Sequence, residues 1–235
     1  MFNSLPAHQY ITPVRESFER SSNALKRPFN LLTNQSANKG VPDTIGSESM
    51  TRVLILNHRG VSLDALVELV RSLGAEVDLV EPETIAGPLP VRGYDGFIAS
   101  GGYLRSATHR DTLRRYSTFF EELERPYLGV CLGMKILGFC YGARIRRIAP
   151  VVGERRVSLR DFPLSPGLSE FSVRQNHKYE LLPPLPEALQ NFTAEGDPVQ
   201  AVKVAGRDQY AVQFHPEVGK TPARIIVENF VSMCS

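Results

Sequence analysis

The chain has 235 residues, 42% of them hydrophobic, and a formal net charge of +2, which allows a full core, with one domain of about 180 residues beside something smaller. So balanced a charge implies no polyanionic partner such as nucleic acid, and no run of eighteen apolar residues is present to cross a membrane as a helix. Cys131, Cys140 and Cys234 are too few for a disulfide scaffold and match no zinc spacing, so a reducing, cytoplasmic setting is expected, with no metal.

Residues 1–50 are rich in Ser, Asn, Pro and Thr, lack periodic apolar spacing and end in Gly46-Ser-Glu-Ser-Met50. They read as a disordered extension, with the remaining 51–235 as the folded domain. The basic, serine-bearing composition has features of an organelle transit peptide. A start near Met50, or an added segment, accounts for the same residues.

From Arg52 the pattern alternates between strand and helix. Val53-Leu-Ile-Leu56 is a continuous apolar run, as expected of a strand covered on both faces. It runs into the loop Asn57-His58-Arg59-Gly60, where His58 reads as a surface residue. Ser62 is placed to cap a helix striped by Leu63, Leu66, Val70 and Leu73 and ended by Gly74. Val77, Leu79 and Val80 make a second strand, and Phe97-Ile-Ala99 a third that runs into Ser100-Gly-Gly102. Leu113, Tyr116, Phe120 and Leu123 stripe a further helix. Three such steps predict an α/β fold with a mostly parallel sheet and right-handed crossovers, whose ligands sit at the carboxyl ends of the strands.

The next strand, Tyr127 to Val130, stops at Cys131 and gives way to a helical Met134-Lys-Ile-Leu-Gly-Phe-Cys140. Gly129 and Gly133 flank the turn two residues away on either side, which suits a tight strand-to-helix elbow lifting Cys131 out of the sheet edge into solvent. Helix N-H groups at such a turn favour a thiolate and an oxyanion beside it. A lone cysteine ending a core strand fits the same pattern. After Gly142 shorter strands and loops are expected. Six arginines fall between Arg144 and Arg160, opposed there only by Glu154, and read either as a solvated face or as a docking surface for a partner.

Gln175-Asn-His177-Lys-Tyr179 is a polar stretch in apolar surroundings, and Val199 to Val204 with Tyr210 to Phe214 alternate like a hairpin around Gly206-Arg-Asp208. That hairpin runs into His215-Pro-Glu217. In an extended backbone residues two apart share a face, so Glu217 stands behind His215, fixing its tautomer for deprotonating a thiol. A final helix is expected, capped by Thr221 and begun by Pro222.

Gly129-Val-Cys131-Leu-Gly133 with His215-Pro-Glu217 and the preceding Ser100-Gly-Gly102 resembles the class I (triad) glutamine amidotransferase family over residues 51–235. Gly153-Glu154 and His177-Lys-Tyr-Glu180 look most like the separate glutaminase subunit of archaeal-type GMP synthase. The resemblance implies a flavodoxin-like sheet flanked by helices, with the smaller strands after Gly142, in the region following the nucleophile helix, forming a flap or second sheet, and no cofactor. It makes Cys131 the nucleophile, His215 the base and Glu217 its orienter, with Gly102 and Leu132 donating N-H groups to the oxyanion. Gly101, Lys135, Asn176 and His177 become contacts to the oxyanion or substrate. The implied reaction is hydrolysis of glutamine through a cysteinyl thioester, with ammonia passed to an ATP-dependent synthase subunit.

Two residues depart from the family pattern. Lys135 stands where the family usually has glutamine, and Tyr103 where proline commonly follows the double glycine. A cation there would repel a substrate ammonium, swing out, or hold a carboxylate. A γ-glutamyl peptide hydrolase and a non-catalytic binding subunit of the same fold are the rival readings. A cysteine-elbow protein of the DJ-1 type would have histidine directly after the cysteine, where this chain has Leu132.

Overall fold

The computed structural model describes residues 10–11, 50–103, 110–219 and 222–235, with the backbone alone for 10, 11, 110 and 111. In chain order the elements are β1 (Tyr10–Ile11), β2 (Arg52–His58), α1 (Leu63–Ser72), β3 (Glu76–Val80), β4 (Gly96–Gly102), α2 (Arg110–Glu122), β5 (Tyr127–Val130), α3 (Leu132–Cys140), β6 (Arg144–Ser158), β7 (Glu170–Leu182), β8 (Leu189–Asn191), β9 (Ala201–Val204), β10 (Gln209–Val212) and α4 (Ile225–Cys234). Seven strands form one sheet in the order β3-β2-β4-β5-β10-β9-β8. The pairs among β3, β2, β4, β5 and β10 are parallel, and β9 and β8 close one edge antiparallel.

Side-chain alternation along β2 explains its unbroken apolar run. Val53 and Ile55 pack into a cluster with Leu66 and Val70 of α1 and Ile226 and Phe230 of α4. Leu54 and Leu56 point to the other face, against Tyr116 and Phe119 of α2 and Leu132 and Leu137 of α3. Both faces are thereby shielded from water, as a parallel sheet requires. The carboxyl ends of β2, β4, β5 and β10 reach one edge together.

The region after Gly142 differs from expectation. Instead of short strands it holds two long ones, β6 of 15 residues and β7 of 13, paired antiparallel in a second sheet of order β1-β6-β7. Their alternating exposure hid the length: only one face of the ribbon is covered, so the apolar signal is diluted by polar residues at every second position. The arginines of β6 also meet acids that the linear sequence separates from them. Arg146 pairs with Glu180, and Arg156 with Glu170 at 2.7 Å, both carboxylates arriving from β7. Tyr10 and Ile11 pair with Arg146 and Ile145 of β6, so the segment read as a disordered extension contributes a strand. The rest of residues 1–49 lies outside the described residues, as does Thr221, the expected helix cap. Pro222 begins a short 3-10 turn that leads into α4.

Candidate active site

The strand β5 passes into α3 through Cys131, whose φ of 51° and ψ of −92° are unusual for a residue with a side chain. The glycines around it are required by close approach. A Cβ on Gly129 would lie 2.7 Å from the Gly133 carbonyl carbon, and one on Gly133 would lie 2.5 Å from the Ala99 carbonyl oxygen of β4. The backbone N-H of Cys131 donates to the Val212 carbonyl at 2.8 Å, tying the elbow to β10. The expectation of a solvent-facing thiol does not hold: Cys131 is only 5% exposed. The β6–β7 ribbon lies over it, with the Asn176 carbonyl 3.9 Å from Sγ.

His215 reaches the sulfur because β10 is the direct parallel neighbour of β5, with Val212 opposite Val130. It is 6% exposed and lines the same cavity as Cys131, and a single Cβ on Gly101 would touch both, lying 2.7 Å from His215 Cε1 and 3.7 Å from Cys131 Cβ. Its Nδ1 donates to Glu217 Oε1 at 2.7 Å. The expected route to that pair is an extended strand, but the backbone instead turns after His215, with the Val218 N-H returning to the His215 carbonyl at 3.4 Å. Pro216 sits inside this turn, and Glu217 folds back behind the ring. The His215 N-H also donates to the Arg174 carbonyl at 2.9 Å, so β7 and the histidine segment are stitched together.

Ser62, the expected cap of α1, makes no side-chain cap bond. Its hydroxyl donates instead to Glu217 Oε1 at 2.5 Å and lies 3.1 Å from His215 Nδ1. Sequence reasoning missed this residue, although it follows the loop at the carboxyl end of β2, the edge where ligands bind in such sheets. His58 is a second correction. It is 1% exposed, with Nε2 2.7 Å from the Tyr116 hydroxyl and its backbone N-H donating to Ser100 Oγ at 3.0 Å. A Cβ on Gly102 would meet the His58 carbonyl at 2.2 Å, so this buried histidine braces the double-glycine loop.

Lys135 neither swings out nor reaches a carboxylate by a hydrogen bond. It is 2% exposed, and Nζ donates to Cys131 Sγ at 3.9 Å. Burial pushes the thiol up, but the Lys135 charge and the hydrogen bond and charge of His215 outweigh it, so the net direction is down. Burial lowers Lys135 and likewise opposes the charged form of His215. Hydrogen bonds to Cys131 and Glu217, with the charges of both, nevertheless raise His215 well above its ordinary value. Burial first and the Lys135 charge next hold His177 down to about 4. A thiol so placed favours the thiolate–imidazolium form, which is a nucleophile and an acid side by side.

A cavity of about 250 Å³ opens on this group. Gly102, Tyr103, Leu132, Lys135, Asn176 and His177 line it together with Cys131 and His215. Gly101 is the remaining expected contact, and it backs the histidine: a Cβ there would lie 2.7 Å from His215 Cε1. Among the described residues no cluster of three or more His, Cys, Asp or Glu is arranged to hold a metal. No helix of the described residues is long and apolar enough to cross a membrane.

The sequence model of the glutamine amidotransferase class-I family matches residues 55–233. The chain belongs to that family. Among relatives, it is 29% identical over 170 residues to the glutamine-hydrolysing GMP synthase subunit of Thermoplasma volcanium, covering 71% of this chain and 83% of that one. To the corresponding GMP synthase subunit of Halobacterium salinarum it is 32% identical over 195 residues, covering 79% of this chain and all of the relative. A solved structure from Thermoplasma acidophilum, described as a GMP synthase subunit, superposes with a TM-score of 0.71 at 27% identity, over 80% of this chain and 95% of that one. A glutamine amidotransferase from Thermotoga maritima gives 0.61 at 25% identity, over 77% and 81%. The mostly parallel sheet flanked by helices is thus the architecture of class-I amidotransferases.

Proposed function

We propose that this chain is a glutaminase subunit that hydrolyses glutamine through a Cys131 thioester and supplies the ammonia to an ATP-dependent synthase of the GMP synthase kind. The observation that carries this reading is the buried Cys131 on its strained elbow, with His215 beside the sulfur and Glu217 behind the ring, at the floor of a cavity. In this reading the thiolate attacks the side-chain amide carbon. The carbonyl electrons move onto oxygen, and the backbone N-H groups of Gly102 and Leu132 donate hydrogen bonds to the oxyanion so formed. His215 gives its proton to the nitrogen as the C-N bond breaks, then takes one from water as the thioester is hydrolysed. Leu132 is the first residue of α3, so its N-H has no partner within the helix.

The relatives support the acceptor, since these separate GMP synthase subunits match this chain over most or all of their length. Release of free ammonia is useful only where a partner takes it up before it escapes, and nothing in this sequence resembles an ATP-binding synthase domain. The deciding experiment measures ammonia and glutamate from glutamine, alone and with candidate synthase subunits. Stoichiometric release, stimulated by a partner, is expected, and no release under any of these conditions would overturn the reading. Lys135 in the cavity keeps one alternative specific: a γ-glutamyl peptide hydrolase would release an amine from γ-glutamyl amides faster than ammonia from glutamine.

A further inference from the structure

Lys135 takes no part in the steps above, yet it is the charged group whose placement in this site is hardest to account for by packing. An ammonium 2% exposed loses most of its hydration and is tolerated only opposite a partner of opposite charge or several acceptors. The hydrogen-bond partner of Nζ is the Cys131 sulfur at 3.9 Å. Glu180 of β7 acts on Lys135 through its charge, but its Oε1 is already paired with Arg146. Lys135 lies four positions after Cys131, so the elbow at the start of α3 and one helical turn put the two on the same face by construction.

Other groups around the sulfur divide by element. From the segment after β10 come His215, with Glu217 behind it, and the Gln213 amide, which donates toward Sγ at 3.9 Å. From β7 come the Asn176 carbonyl at 3.9 Å and the neutral His177 ring, which itself feels the Lys135 charge. From α3 comes Lys135. Two cations therefore converge on one sulfur, with one carboxylate held off behind the histidine.

We propose that Lys135 is a catalytic residue of this chain, the buried counter-ion of the Cys131 sulfur, which keeps the nucleophile as a thiolate between substrates and stabilises it again as the leaving group when the thioester is hydrolysed. The proposal rests on Cys131 being the nucleophile of the proposed glutaminase. With the sulfur held as a thiolate and Glu217 behind the ring, His215 begins the cycle protonated and serves first as the acid for the departing nitrogen. When the S-C bond forms, Lys135 loses its counter-charge. That loss raises the energy of the thioester and pulls its hydrolysis forward, as the S-C electrons return to sulfur beside the ammonium.

The test reads the sulfur directly and needs no glutamine. The rate of Cys131 alkylation by iodoacetamide is followed from pH 5 to 9 in the wild type, Lys135→Gln and Lys135→Met. The midpoint should move upward by about one pH unit or more in both variants, so that at any pH well below the wild-type midpoint alkylation slows about tenfold. Profiles that superimpose on the wild type would overturn the proposal. His215→Ala supplies an arm that leaves Lys135 untouched: the Cys131 midpoint should stay below the free-thiol value of about 8.5, and a midpoint at or above it would equally refute the role. Ammonia release by the wild type is measured separately. Its absence with an intact alkylation shift would fault the glutaminase reading and leave the ion pair standing.

Discussion

Gly101 leaves no room for a side chain beside His215, which makes Gly101→Ala an informative single change. Gly101 does not adopt a positive φ, so an alanine fits the backbone without strain. The added Cβ, however, would stand 2.7 Å from His215 Cε1 and 3.7 Å from Cys131 Cβ. Ordinary contact begins near 3.4 Å, so the imidazole must retreat about 0.7 Å from 2.7 Å. It cannot do so freely, because Nδ1 is held at 2.7 Å by Glu217 and Ser62 lies 3.1 Å away. Either that charge-assisted bond or the alignment with the sulfur is lost. A hydrogen bond to a charged group is worth about 1.5–3 kcal/mol, and each 1.4 kcal/mol is a factor of ten in rate, so kcat for ammonia release should fall about 10- to 100-fold. Thermal melting should change little, since the ring rather than the backbone is displaced. Wild-type kcat in Gly101→Ala would refute the reasoning, as would a rate loss that merely follows a fall in melting temperature. Gly133→Ala makes the contrast: its Cβ would meet a backbone oxygen at 2.5 Å, so that change should cost stability first.

A glutamine-like electrophile should label Cys131 alone, because burial pushes both Cys140 and Cys234 up to about 12 while the Cys131 thiol lies below its ordinary value; mass spectrometry showing equal modification of the three would reject the assignment. Glu217→Gln should lower turnover yet leave more activity than His215→Ala, and Ser62→Ala should cost about 3- to 10-fold through the one hydrogen bond it removes from Glu217; a Ser62→Ala enzyme with an unchanged rate and pH profile would return Ser62 to a structural part. The arginine face of β6 is expected to dock the synthase. Arg156 is tied to Glu170, so the cleaner reversal is Arg147→Glu with Arg155→Glu, both exposed. Partner-dependent activation should weaken, more so at low salt, with basal activity kept, and wild-type activation by the synthase would show the face to be merely solvated.

Much of this protein follows from local sequence. Val53 to Leu56 could only be a strand covered on both faces, and Gly129, Cys131 and Gly133 together encode the elbow. Both signals are short in range: an apolar run responds to burial, and a tight turn responds to the absence of side chains. The pairing of Cys131 with His215 was readable too, but only through motif resemblance, because 84 positions separate them along the chain. Only the placement of β10 beside β5 brings them together. What the sequence could not express is whatever depends on distant segments meeting. Ser62 looked like a helix cap because caps are local, and it became a partner of Glu217 once the β2 edge met the turn after β10. His58 looked exposed because a histidine in a polar loop carries no sign of the tyrosine that covers it from α2. The arginines of β6 looked unopposed until β7 paired alongside with Glu170 and Glu180. Lys135 is the sharpest case: its identity was a departure visible in the sequence, but only the tertiary structure decided that the ribbon of β6 and β7 closes over it. Most of its hydration is then lost, and the sulfur is left as its hydrogen-bond partner.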